Sequence, residues 1–242
     1  MDFDQSNFLD GKLLLINKPL NWTSFQVVNK IRWLIKSQFN LKNIKVGHAG
    51  TLDPLATGLL IICTGKMTKK ISSFQNLNKS YKGKFIIGAT TPSYDLETKI
   101  NSKNSIEHIK KGDLIEVSKK FIGKIKQKPP VFSAIKIKGK KLYDYAREGK
   151  SVKIPYKEIT ISNFKITKIN LPELDFEIDC SKGTYIRSIA NDFGKELKVG
   201  AFLKSLRRTS IGKHQLKDAI SIQDFENLFK NCITDEIIFS GF

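Results

Sequence analysis

Three cysteines, Cys63, Cys180 and Cys232, are all that this 242-residue chain carries. They are far apart, odd in number and match no zinc-ligand spacing, so neither a zinc knuckle nor a disulfide framework is expected. Cys63 and Cys180 sit in apolar, strand-like contexts where a buried, inert thiol is expected, which points to a reducing compartment. No apolar run approaches transmembrane length, and no basic amphipathic anchor is present, so no membrane partner is expected. The first ten residues, MDFDQSNFLD, are acidic and polar and do not read as a signal peptide. A cytoplasmic location is the expectation. A Walker-type loop and an HExxH helix are both missing, and His48, His108 and His214 are scattered. No cofactor and no metal ion are expected.

Acidic residues are also scarce, 23 against 42 Lys and Arg, and only five of those 42 are Arg. The formal net charge of +19 favours a polyanionic partner, because each phosphate neutralised by Lys or Arg releases counterions. A lysine-rich solvated surface is the plainer alternative. With 40% hydrophobic and 10% aromatic residues, a chain of this length can bury a sizeable core.

Residues 13–16 read as a strand. Thr23 or Ser24 caps a helix carrying Val27, Val28, Ile31, Leu34 and Ile35 at helical spacing. Residues 47–57 form a loop rich in Gly, Thr and Pro. A buried strand follows at 59–63, a helix at 68–77 and an alternating strand at 81–87. Residues 90–104 are irregular, and 105–120 read as helix. Residues 123–139 are strand-like but broken by Pro129 and Pro130, and 142–148 form a short helix. Strands near 159–169 and 174–180 precede a helix over 185–197. Residues 202–208 give mixed signals, 211–215 read as a last strand and 222–229 as a last helix. The interleaving is irregular, without repeats or regular βαβ alternation. It predicts a single α+β domain over 1–242 with a mixed, largely antiparallel sheet flanked by helices.

The segment KVGHAGTLDPLATGLL, residues 45–60, concentrates small and turn-forming residues around one carboxylate, Asp53, and one imidazole, His48. Pro54 pushes Asp53 out of helical geometry. A carboxylate on such a stiff loop suits a nucleophile or base, although Asp before Pro is also an ordinary turn signal. His48 alone reads as a surface or capping residue.

GHAGTLDPLATGLL resembles the catalytic loop of the TruB family of tRNA pseudouridine synthases. Other segments resemble that family in the same order: LLLINKPLNWTS (13–24), KSYKGKFIIGATT (79–91), FIGKIKQKPPVFSAIKIKGKKLYDYAREG (121–149), CSKGTYIRSIANDFG (180–194) and GAFLKSLRRTSIG (200–212). The resemblance implies the pseudouridine synthase fold and conversion of a T-loop uridine of tRNA, position 55, to pseudouridine. It also implies residue roles. Asp53 matches the catalytic aspartate, Tyr81 the tyrosine that stacks on the target base, and Arg187 the arginine that pairs with the catalytic carboxylate. His48 matches the histidine that fills the space left by the flipped nucleotide. Tyr185 and Leu206 match positions lining the pocket. Read without the family, Tyr81 is an ordinary strand aromatic and Arg187 a surface helix charge.

The chemistry fits these side chains. A uridine in a stacked loop must be flipped out at a cost of a few kcal/mol, and an aromatic such as Tyr81 offsets roughly 1–3 kcal/mol of that by stacking. A carboxylate then acts as covalent nucleophile, kept ionised by a nearby guanidinium.

Residues 119–141 hold nine lysines and no acidic residue. This part of an insertion at about 119–150 is expected to be an RNA-contacting arm that orders on binding. Arg207 and Arg208 are candidate phosphate contacts, although adjacent residues of a strand face opposite ways. Asn21 stands where the family has Gly, and residues 94–100 lack the family's usual Gly after the Asp-x-Glu stretch, which leaves Asp95 without an assigned role. Only 32 residues follow Ser210, too few for the C-terminal PUA barrel of many family members. A tRNA-binding monomer without obligate protein partners is expected, one in which a tRNA-folding role can accompany catalysis. Two other readings compete: a non-catalytic RNA-binding or RNA-folding module, and a related synthase acting on ribosomal or other RNA. The Asp53, Tyr81 and Arg187 set argues against the first, and the unbroken 47–60 segment with the KPP-containing insertion against the second.

Overall fold

In the computed structural model, which describes residues 5–133, 135–137, 139–149 and 152–229, the elements run as follows. The chain opens with α1 (Gln5–Asp10), β1 (Leu13–Lys18), α2 (Ser24–Gln38), β2 (Val46–His48), β3 (Ala56–Thr64), a 3₁₀ turn at Gly65–Lys70 and α3 (Ile71–Asn76). Next come β4 (Lys79–Ile87), β5 (Ala89–Thr90), β6 (Ser102–Lys103), α4 (Lys111–Lys120), β7 (Gly123–Gln127), β8 (Lys136–Ile137), β9 (Lys140–Lys141) and α5 (Leu142–Arg147). The rest is β10 (Lys157–Asn170), β11 (Glu173–Cys180), α6 (Ile186–Glu196), β12 (Ala201–Ile211) and β13 (His214–Gln215), then a last helix, α7, over 222–229. The chain divides into two units, Met1–Leu77 with Arg207–Phe242, and Asn78–Leu206. Strand β12 begins in the second and ends in the first.

In the first unit β3 is central. It pairs antiparallel with β1, Leu13 opposite Cys63 and Lys18 opposite Gly58, and with β2, His48 opposite Ile62. Its Leu60 and Ile62 enter one hydrophobic cluster, while Leu59, Ile61 and Cys63 enter another. Burial on both faces explains the unbroken apolar run that its sequence shows. The first cluster collects Val27, Val28, Ile31, Leu34 and Ile35 of α2, Phe8 of α1, and Phe225 and Phe229 of α7. Helix α2 starts as its sequence predicts. Thr23 Oγ1 accepts from the Gln26 N–H at 3.0 Å and Gln26 Oε1 accepts from the Thr23 N–H at 2.7 Å, a reciprocal capping box.

The second unit is built on antiparallel pairings of β4 with β11, β11 with β10 and β10 with β7. Alternation along β4 and β11 buries Phe85, Phe176 and Ile178. Phe85 lies 4.2 Å from Phe176 and 5.9 Å from Phe193 of α6, centroid to centroid, and Phe164 of β10 lies 6.0 Å from Phe121. Such offset and edge-on rings supply packing energy beyond their buried area. The opposite face carries cross-strand ion pairs, Lys82 with Glu177 at 2.6 Å and Lys84 with Asp175 at 2.7 Å.

The α+β class and the mixed, mostly antiparallel sheet agree with the sequence. Four element readings need correction. Residues 202–208 and the start of 211–215 form one strand, β12, folded against β13. The helix read over 105–120 begins only at Lys111, because Asp113 Oδ2 accepts from the Lys110 N–H at 2.8 Å and fixes the start there. The helix read over 68–77 is a 3₁₀ turn followed by α3. The strand read over 123–139 ends at Gln127, ahead of Pro129 and Pro130.

Candidate active site

Asp53 lies in the loop between β2 and β3. The segment KPLNWTS holds that loop from below. Ser24 Oγ accepts from the Leu52 N–H at 2.9 Å and donates to the Leu52 carbonyl at 3.1 Å. The Asn21 N–H donates to the Pro54 carbonyl at 2.9 Å. Asn21 has φ +63°, the left-handed region that Asn tolerates better than most residues, so it forms the turn for which the family uses Gly. Within the loop, the Ala56 N–H donates to the Asp53 carbonyl at 3.0 Å. Asp53 itself is half-buried while Thr51 and Pro54 are exposed.

Two buried cations lie under this loop. Lys18, at the end of β1, is fully buried. Its ammonium donates to the carbonyls of Pro19 at 2.9 Å, Trp22, and Pro54 at 3.4 Å. Burial lowers its pKa from 10.5 to about 8; the charge of Asp53 opposes that shift and the charge of Arg208 adds to it. Arg208 is buried too, with Nε donating to the Leu59 carbonyl at 2.7 Å and Nη2 to the Gly50 carbonyl at 3.0 Å. This corrects its reading as a phosphate contact: Arg208 ties the Asp53 loop to β3, and Arg207 is the exposed member of the pair.

His48 closes β2. Burial lowers its pKa, Arg208 lowers it further, and the backbone of Gly50 acts the other way. The imidazole is therefore neutral at physiological pH, and its Nδ1 is buried without a hydrogen-bond partner among the described residues. A neutral ring suits packing against a base better than pairing with phosphate.

The remaining candidates lie in the second unit. Tyr81 is on β4, opposite Ile178 and on the buried face. Leu206 is half-buried in β12. Tyr185 is the N-cap residue of α6 and Arg187 lies in its first turn. Arg187 is not a surface charge: it is 4% exposed. Its Nη2 donates to the Phe132 carbonyl at 2.9 Å and its Nη1 to the Ser93 carbonyl at 3.3 Å. Its Nε lies 3.5 Å from Oδ2 of Asp95, which is 5% exposed. Asp95 thus places a buried carboxylate beside the Arg187 guanidinium. The sequence left it unassigned, and Lys18, Ser24 and Asp95 each meet a group distant along the chain: the Pro54 carbonyl, the Leu52 main chain and the Arg187 guanidinium. For Lys18 and Ser24, the one signal was their place in the quoted KPLNWTS segment.

Cys63 and Cys180 are buried, and burial pushes the Cys63 thiol up to about 11, in line with inert cysteines; Cys232 lies outside the described residues. Among the described residues no group of three or more His, Cys, Asp or Glu is placed to hold a metal ion, and no helix is long and apolar enough to cross a membrane.

The family model for the TruB family pseudouridylate synthase N-terminal domain matches residues 36–186. A tRNA pseudouridine synthase B of Flavobacterium johnsoniae is 57% identical over 220 residues, 90% of this chain and 96% of that protein. Its counterpart in Phocaeicola vulgatus is 48% identical over 232 residues, 96% and 99% of the two chains. Among solved structures, a chain of the Cbf5-Nop10-Gar1 complex superposes with a TM-score of 0.68 at 25% identity over 92% of this chain, which spans 55% of that one.

Proposed function

The chain belongs to the TruB family of pseudouridylate synthases, and from that membership we propose that it isomerises uridine to pseudouridine in tRNA, at position 55 of the T loop, with Asp53 as the nucleophile. The observation that carries this reading is the support of the Asp53 loop. Ser24 grips Leu52 through both its N–H and its carbonyl, and Pro54 is held by Asn21 and Lys18. A side chain on so constrained a loop is presented in one geometry, which covalent catalysis needs.

The reaction breaks the N-glycosidic bond, turns the uracil and re-bonds it through carbon, with no net gain or loss of atoms. The target nucleotide leaves its stack to reach the carboxylate. Tyr81 stacks on the extruded base, Tyr185 and Leu206 line the pocket, and the neutral His48 ring occupies the gap left in the RNA loop. Arg187, oriented by Asp95, keeps the nucleophile ionised against the desolvation a closed pocket imposes. The lysine-rich insertion grips the backbone of the T arm. No cofactor enters the scheme, and the enzyme acts as a cytoplasmic monomer, without an obligate protein partner.

Pseudouridine mapping on unmodified tRNA transcripts tests this. Wild-type protein is expected to convert one T-loop uridine. Asp53→Asn, which keeps the shape and removes the charge, is expected to bind tRNA with unchanged affinity and to lose at least about three orders of magnitude in turnover. Conversion by both proteins removes Asp53 from its role. Tight binding with no conversion by either points to the RNA-binding module instead.

A further inference from the structure

Three residues at the root of the basic insertion are each tied to the start of α6. Lys128 accepts from Ser188 Oγ through its carbonyl at 2.8 Å, Phe132 accepts from Arg187 Nη2 at 2.9 Å, and Gln127 meets Tyr185 twice. The third contact is unlike the others. Gln127 Oε1 accepts from the Tyr185 N–H at 2.8 Å, and its Nε2 donates to the Tyr185 carbonyl at 3.0 Å. One buried side-chain amide thereby matches both main-chain groups of one residue.

The sequence sets this up through strand alternation. Along β7 Lys124 and Lys126, with Lys128 just beyond the strand's end, are exposed, while Gln127 is turned inward and buried. A buried amide is costly unless both halves are bonded, and here Tyr185 satisfies both. Helix α6 has no side-chain cap of its own at Tyr185, and the N–H groups at a helix start need partners from outside the helix. Gln127 supplies one, 58 residues away in sequence, and holds the cap residue in extended backbone at φ −100° and ψ 105°.

We propose that Gln127 is a positioning residue for the reaction, which fixes the main chain of Tyr185 and through it the directions in which the Tyr185 ring and the Arg187 guanidinium point. The inference rests on the functional reading above. Gln127 presents no group to the nucleotide. Its effect is on turnover, because small displacements of positioned groups cost rate more than binding.

The test compares kcat and KM on unmodified tRNA for wild type, Gln127→Met, Tyr185→Ala and the double variant, with Gln127→Glu as a second probe. Gln127→Met is expected to lose about tenfold in kcat with KM changed by less than about threefold. In the double variant the two losses are expected to overlap and not multiply, since one residue acts through the other. Gln127→Glu keeps the acceptor for the Tyr185 N–H and loses the donor, so its turnover is expected to recover toward acid pH as a buried carboxyl regains its proton. A purely structural residue moves the unfolding free energy with pH and leaves kcat of the folded protein unchanged. Wild-type turnover in Gln127→Met, multiplicative losses, or a Gln127→Glu profile parallel to wild type overturns the assignment. So does failure of both Gln127 variants to fold, which makes the residue a scaffold element. Absence of any tRNA conversion by wild type marks failure of the functional reading itself, and the inference falls with it.

Discussion

Lys18 is a cation shut away from water whose partners are backbone carbonyls. Its folded pKa of about 8 lies below the ordinary 10.5. Between those values the unfolded chain holds a proton here that the folded chain releases, so the stability attributable to this group rises with pH across that window. Unfolding free energies of wild type and Lys18→Met, measured from pH 7 to 10.5, are expected to diverge in favour of wild type by an amount on the order of 1–2 kcal/mol. A difference that stays flat with pH refutes the lowered pKa. At this scale the candidate site was half legible in the sequence. Asp53 and His48 stood out because turn-forming residues crowd around them. Lys18, Asp95 and Gln127 did not, because an isolated Lys, Asp or Gln acquires its role only from a partner that the fold brings near.

Strand β3 was legible for a different reason. Its apolar run is continuous, which only burial on both faces rewards. Strand β12 was harder, since Lys204, Ser205, Arg207 and Thr209 interrupt its apolar residues. Buried Arg208 shows why a charge count misleads there: the guanidinium bonds the Leu59 and Gly50 carbonyls instead of water. The same strand dictates Gly58. A Cβ at that position would stand 2.3 Å from the Arg208 carbonyl oxygen, and Gly58 has φ +102°, a conformation that L side chains avoid. Gly58→Ala combines backbone strain with a main-chain clash. It is expected to cost about 3 kcal/mol or more by denaturant titration. A loss under about 1 kcal/mol would mean that β3 and the Arg208 main chain are not held so closely. The α2 cap was readable because Thr23 and Gln26 are near neighbours in sequence, whereas the delayed start of α4 depended on the Asp113 side chain turning back to Lys110.

Across the whole molecule the formal charge of +19 is unevenly opposed. On the open face of β4 and β11 in the second unit, Lys82 and Lys84 meet Glu177 and Asp175, and Lys204 meets Glu173. Those cations already have carboxylate partners and release few counterions on meeting a polyanion. Residues 119–141 contain no acid at all; Lys120 reaches Glu196 at 3.6 Å and Lys140 pairs with Glu148, while Lys124 and Lys126 within β7 and Lys128 just beyond it are exposed, on a strand whose registered pairing is with β10. The salt dependence of tRNA binding should therefore reside in the insertion. Each phosphate neutralised contributes roughly 0.7–0.9 to the slope of log K against log salt. Replacing Lys124, Lys126 and Lys128 together by Gln is expected to make that slope shallower by about 2. The triple change Lys82→Gln, Lys84→Gln and Lys204→Gln is expected to leave it unaltered, although the net charge falls equally in both variants. Equal slopes for the two triple variants would mean that tRNA responds to total charge and that the insertion has no privileged part in holding it.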